Sequence, residues 1–283
     1  MGIGETSLPV PTKPSRRGRS AAALSQGARV LPAFCADCTA LFDSRFAWAA
    51  AIAALAGLVR GFSGFGAALM FVPLCGILYG PTVAVLALWV IDAFATAPIV
   101  TRHLKRATWR ELGPLLIGST VLLPFGVWVL AHSDPDPLRW AISGMVLAST
   151  VALASGWRYR RAPTMAVSLA VGGVAGFTNG AVGIGGPPLV LFWLGGRSDT
   201  GLVRTNIFAY FAITTVITLA LYAWHGIFTG SIILLGFALL PLYGLGLFLG
   251  DRLFRGASDV VFRRVAFGLC AVSGVLGLPI WQG

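Results

Sequence analysis

Two ionisable side chains, Arg60 and Asp92, stand inside long apolar stretches of the sequence. A charge within hydrocarbon is expensive, so it marks an ion pair, a wet cavity or the path of a ligand. Arg60 opens a glycine-rich interruption, R-G-F-S-G-F-G (Arg60 to Gly66), where its guanidinium can act as counter-ion to an anion. The plainer alternative is a snorkelling or tip-exposed arginine that sets orientation. Asp92 is the one carboxylate well within an apolar run. It can bind a proton or a sodium ion, stand as an isolated structural group, or pair with Arg60, and such a pair would keep the site neutral until an anion competes for the arginine.

A second glycine-rich stretch, G-F-T-N-G-A-V-G-I-G-G-P-P (Gly176 to Pro188), repeats most of the signature of Gly61 to Gly66. Each is preceded four residues upstream by another glycine, Gly57 and Gly172, so the chain reads as two copies of one unit, each containing a break. Broken backbone at membrane depth leaves N–H and C=O groups that only protein or a wet cavity can satisfy, so two matching breaks mark a cavity. New helices are expected to start near Ala67 and near Pro187, and a helix N-terminus offers N–H donors and partial positive charge to an anion. Pro187 and Pro188 suit a first helical turn, which leaves N–H groups unused. Gly64, Gly66, Gly183, Gly185 and Gly186 would let a ligand approach the backbone. Ser63, Thr178 and Asn179 are oxygen or amide partners for it, or groups that simply satisfy broken backbone. Arg204 and Asn206 open the next span and either line the same cavity or serve as a basic loop residue and a helix cap. The pairs Gly57/Gly61, Gly172/Gly176 and Gly246/Gly250 have the small-residue spacing of membrane helix contacts, and packing is the favoured reading for them. Matching G-F-S with G-F-T places Ala175 opposite Arg60.

The elements that must hold these groups follow from composition. The chain has 283 residues, 57% hydrophobic and only 11% charged, with a mean hydropathy of +0.82. That is too apolar for a soluble domain, and the protein is read as an integral membrane protein. The net charge of +11 falls mostly between apolar runs, where membrane orientation explains it, so nucleic acid is not an expected partner. Cys35 and Cys38 have C-x-x-C spacing, but a zinc site needs two more ligands and the only histidines are His103, His132 and His225; His103 and His225 read as ordinary interface residues in loops, so neither cofactor nor metal is expected. Residues 1–44 read as a disordered tail, whose translation depends on the true start codon.

A first apolar block, Phe46 to Tyr79, is too long for one span of roughly 20 residues, and each part is short, so two half-helices meeting at a tip are expected. Full spans are expected at Pro81 to Thr101, Leu112 to Ala131 and Leu138 to Gly156. A second broken block at Met165 to Gly196 is followed by spans at Ile207 to Trp224, Ser231 to Gly250 and Arg264 to Trp281. The resulting fold is an all-α polytopic membrane protein with a first repeat over 45–156 and a second over 157–283. Trp109, Trp140, Trp157, Trp224 and Trp281 fall near span ends, as interfacial tryptophans do. Three basic loops, Arg102 to Arg110, Arg158 to Arg161 and Arg252 to Arg263, are read as cytoplasmic, and the acidic loop at Asp134 and Asp136 as external. The second broken block must then enter and leave on one side. If the first copy is built alike, each repeat is a re-entrant hairpin plus three spans and the two are inverted. This topology puts the basic N-terminal tail outside, against the charge rule.

Arg60 to Leu74 and Gly180 to Val190, set in a basic, duplicated membrane chain, resemble the sulfite exporter TauE/SafE family over about residues 46–281. The resemblance implies a secondary transporter of small sulfur-containing anions, such as sulfite, sulfoacetate or other organosulfonates, in the bacterial inner membrane. The first motif departs from it at Gly66-Ala67-Ala68, where a run of glycines is frequent, so its half-site is expected to be less open. The expected partners are a small anionic substrate and the lipid bilayer, with a homodimer left open, and export is the favoured direction. An anion channel is the nearest rival. A non-transporting accessory subunit and an intramembrane enzyme are rivals of other classes, the enzyme disfavoured because the spans hold no histidine and one carboxylate.

Overall fold

The structure is a computed structural model that describes residues 44–155, 164–193, 200–254, 271–278 and 280. The tail at 1–43, the loop with Trp157 to Arg161, Arg255 to Arg263, Trp281 and most of the last expected span lie outside the described residues. Those described form nine named helices and a final helical segment at 271–276. They are α1 (Ser44–Ser63), α2 (Ala67–Tyr79), α3 (Pro81–Arg106), α4 (Trp109–His132), α5 (Pro135–Ala154), α6 (Met165–Val182), α7 (Gly186–Trp193), α8 (Thr200–Trp224) and α9 (Gly230–Phe254). Seven of the described helices are long and apolar enough to cross a membrane. They are apolar all round, with exposed Ile117, Val121, Phe125 and Trp128 along one side of α4 and buried Leu115, Ser119, Leu123 and Val127 along the other. Trp109, Trp140 and Trp224 are exposed at or near helix ends.

Both breaks exist, but each comes later than the glycine pattern suggests. Helix α1 continues through Arg60 to Ser63 and α6 through Gly176 to Val182, so the first limbs have 20 and 18 residues and are close to full spans rather than halves. Only the second limbs are short, with 13 and 8 residues. The reason is that Gly57, Gly61, Gly172, Gly176 and Gly180 serve contact rather than unwinding. A methyl group at Gly57 would strike the Tyr243 carbonyl and one at Gly61 the Leu247 carbonyl, while Gly246 and Gly250 receive the carbonyls of Ala54 and Leu58. On the other side Gly172, Gly176 and Gly180 lie on the backbones of Leu115, Ser119 and Leu123, and Gly118 and Gly126 on those of Leu169 and Phe177. Helix α1 therefore runs parallel to α9, and α6 parallel to α4, with backbones in direct contact. Lipid offers no hydrophobic drive for such association, so close van der Waals packing supplies it.

The true interruptions are Gly64–Gly66 and Gly183–Gly185. Gly64 and Gly66 have φ of 80° and 74°, a left-handed turn that side chains with a Cβ resist. Gly183, with φ 73°, closes α6 as a left-handed C-cap: its N–H bonds the Asn179 carbonyl and the Ile184 N–H the Thr178 carbonyl. Counted from these tips, Asn179 stands opposite Arg60, which corrects the Ala175 correspondence. G-F-S and G-F-T match as letters, but they lie at different distances from their breaks.

Packing makes a graded test. Gly57→Ala and Gly176→Ala force a methyl group onto a neighbouring backbone and are expected to cost about 1–3 kcal/mol. Gly113→Ala and Gly144→Ala, which meet nothing within 4 Å, are expected to be neutral or slightly stabilising. Thermal unfolding in detergent reads the difference, and equal effects at all four positions would refute interlocked helix backbones.

Candidate functional site

The two tips meet. Phe65, Gly66, Ala67 and Ala68 from the first, and Gly183 to Pro187 from the second, line one cavity with Arg60, Leu69, Leu88, Trp89, Asp92 and Phe211. Its volume is about 40 Å³, room for about three waters at the ~10–15 Å³ each requires. The N-termini of α2 and α7 both border it. Pro187 and Pro188 remove two donors from the first turn of α7, so that end offers the amides of Gly185 and Gly186 together with the positive end of the helix dipole.

Arg60 is 4% exposed, and each of its three guanidinium nitrogens donates one hydrogen bond. Its Nε donates to Asp92 Oδ1 at 2.9 Å and its Nη2 to Asp92 Oδ2 at 2.8 Å, a side-on bidentate pair. Its Nη1 donates to the Gly64 carbonyl, capping the end of its own helix. The guanidinium carbon lies 4.7 Å from the Phe211 ring centre and 5.1 Å from that of Phe208, cation–π contacts that gain strength away from water. Tyr243 on α9 donates to Asp92 Oδ1 at 2.6 Å. One carboxylate thus accepts from an arginine and a phenol, and the four helices α1, α3, α8 and α9 converge on the ion pair. The pairing of Arg60 with Asp92, one of the alternatives open in the sequence, is the arrangement present.

The other expected residues are arranged around the cavity rather than in its lining. Ser63 donates to the Val59 carbonyl at 2.7 Å and accepts from the Phe65 N–H at 3.3 Å, which satisfies the first tip. Thr178 donates to the Val174 carbonyl at 3.0 Å, within α6. Asn179 is fully buried against Gly185, and neither end of its amide has a hydrogen-bond partner. Asn206 accepts from the Thr108 N–H at 2.9 Å, so it caps the start of α4 from a neighbouring helix. Arg204 bonds Asp251 at 2.7 Å and the Gly61 carbonyl, one layer nearer the ends of α9 and α3. His103 is not a loop residue; it lies in the last turn of α3, stacked on Phe208 at 4.6 Å.

Sequence reasoning missed Tyr243, Phe208, Phe211, Trp89 and Asp251. A faint signal exists for the phenylalanines, since Arg204, Phe208 and Phe211 share one face of a helix by their spacing. Tyr243 has none, because its role depends on the long-range register of α9 against α1 and α3.

No curated protein and no solved structure matches the chain. A family model described as Sulfite exporter TauE/SafE matches residues 49–276, which takes in both breaks, the cavity and all seven span-length helices apart from the first turn of α1. On that match, the protein belongs to the sulfite exporter TauE/SafE family of multi-pass membrane transporters.

Proposed function

We propose that the protein is a secondary carrier of small oxyanions, sulfite or organosulfonates above all, with export the favoured direction. The observation that carries this reading is the junction of both tips and two helix N-termini in one cavity with a buried, carboxylate-paired arginine. An anion reaching the cavity competes with Asp92 for Arg60 and gains amides at the two tips, those of Gly66, Ala68, Gly185 and Gly186. Three of the five guanidinium N–H groups are already committed, so exchange of partners, rather than simple addition, is the economical route. Thr178 and Asn179 then support the second tip from behind, and Ser63 and Gly64 the first.

The carrier works in a bacterial inner membrane as two inverted repeats, 45–156 and 157–283, rocking about the shared cavity. Contact registers support this plan. Helix α6 starts beside the start of α4, and Trp193 at the end of α7 bonds Glu111 near the same start at 3.1 Å. That hairpin enters and leaves on one face. Helix α1 starts beside the start of α9, and α2 leads into the start of α3, which is the opposite face because Arg204 near the start of α8 bonds Asp251 near the end of α9. The charged loops assign the faces: Arg102, Lys105, Arg106, Arg110 and Arg252 gather where α3 and α9 end, so that face is cytoplasmic.

When an anion takes Arg60, Asp92 is left without its cation and is our candidate to carry a coupling ion in exchange. One proton would then accompany a monovalent anion and make the cycle electroneutral, whereas an unaccompanied anion would be driven outward by an inside-negative potential.

Two outcomes test this in proteoliposomes with radiolabelled sulfite and a small sulfonate. Arg60→Ala is expected to lower saturable flux by at least about 100-fold, the loss of a charge-assisted contact in a buried site. Normal flux in that variant would move the site elsewhere, and single-channel conductance in the unaltered protein would favour the channel. Asp92→Asn is expected to retain measurable flux but lose its response to an imposed pH gradient, so that membrane potential alone drives it. A preserved pH response would remove Asp92 from coupling.

A further inference from the structure

Arg204 stands outside the cavity, yet its surroundings repeat those of Arg60. Each guanidinium carbon lies 5.1 Å from the ring centre of Phe208, so the two can be no more than about 10 Å apart. Both are held by an aspartate, and both cap a carbonyl in the last turn or tip of α1: Arg60 that of Gly64, Arg204 that of Gly61. The pairs differ in depth. Side-chain exposure falls from 31% at Asp251 and 11% at Arg204 to 4% at Arg60. Along α8, Arg204, Phe208 and Phe211 follow one face at intervals of about one turn, and Phe211 lines the cavity. The stem of Arg204 also lies against the tip, since a Cβ at Gly64 would come within 3.1 Å of Arg204 Cγ.

We infer that Arg204, held by Asp251, is a second anion-binding position at the mouth of the path to Arg60. It takes the same class of ligand, a small oxyanion. The inference rests on the reading of the cavity as an anion site. A planar guanidinium suits an oxyanion in two-point contact, and Asp251 occupies it as a resident competitor that water and solute can reach. An anion exchanged for Asp251 would stand beside Phe208, the ring that both guanidinium groups contact and on which His103 stacks. The position lies where α9 ends and α8 begins, so it serves only one face of the membrane.

Sided kinetics separate this role from a structural tie. Radiolabelled sulfite uptake is measured into inverted and right-side-out membrane vesicles bearing the full chain. Arg204→Gln is expected to raise KM about ten-fold from the face where α8 begins, the loss of one charge-assisted contact, with less than about two-fold change from the other. Asp251→Asn keeps the shape of the pair and removes the competitor, so it is expected to lower that same KM a few-fold. Opposite signs from two partners of one ion pair are the signature, because a structural bridge broken from either side fails in the same direction. Shifts of equal sign, or equal shifts in the two vesicle orientations, overturn the inference while leaving the Arg60 site intact. If the unaltered protein carries no sulfite, or carries it without Arg60, both readings fall together.

Discussion

A guanidinium enclosed in a membrane protein has to be neutralised where it stands, and the way Arg60 is neutralised organises the centre of this molecule. Its carboxylate comes from α3, its aromatic cover from α8 and its capped carbonyl from the tip of its own helix, while Tyr243 of α9 donates to the same carboxylate oxygen as Arg60 Nε. Removing one partner of such a pair leaves an uncompensated charge, a loss of roughly 3–5 kcal/mol where it has been measured in buried pairs. That is a large share of a typical folding free energy. The tip cannot drift from α3, nor α9 from either, without exposing this cost. A bidentate grip also fixes the plane of the guanidinium, and with it the direction in which any further ligand can be met.

Helices brought so close need backbones that allow it. The glycine contacts supply that, and they come in matched sets. Gly57 on Tyr243, Gly61 on Leu247 and Gly250 on Leu58 correspond to Gly176 on Ser119, Gly180 on Leu123 and Gly126 on Phe177. Each broken helix is thus clamped by a continuous helix from the other half of the sequence. The clamp and the ion pair share residues: Tyr243 gives its carbonyl to the space at Gly57 and its hydroxyl to Asp92. Its counterpart Ser119 accepts from the Tyr210 hydroxyl at 2.7 Å. The register that packs the helices therefore also aims the polar groups.

Much of this was legible beforehand. Apolar run lengths, the glycine clusters and two prolines mark the two broken blocks and the restarts near Ala67 and near Pro187, found at Ala67 and Gly186, because few residue types tolerate φ near +75° or an unused first-turn N–H. The pairing of Arg60 and Asp92 was among the alternatives, since two opposite charges in hydrocarbon have few other stable outcomes. What sequence could not supply was register. The same glycine spacing signals either an unwound tip or an interlocked helix. Only contact with α9 and α4 separates Gly61 and Gly176, which stay helical, from Gly64 and Gly183, which do not. Asn206 illustrates the same limit: its side chain caps a helix that begins 98 residues earlier in the sequence, a partner no local pattern reveals.

The two halves use one backbone plan and different chemistry. Counted from the tips, Arg60 stands opposite Asn179 and Asp92 opposite Phe211. Within the cavity lining, charge is thus confined to the first half, while the second offers an amide and a ring at the corresponding places. Two arginines facing one small cavity would repel each other and demand two counter-ions. Two aspartates would oppose an anion outright. A single pair, covered by the ring that replaces the second aspartate, leaves the cavity neutral at rest and supplies one exchangeable cation. The glycine tip and helix N-terminus kept by the second half add partial positive charge without a further ion to desolvate. On the proposed reading of the cavity, this asymmetry is what would let a repeated backbone hold one anion rather than none.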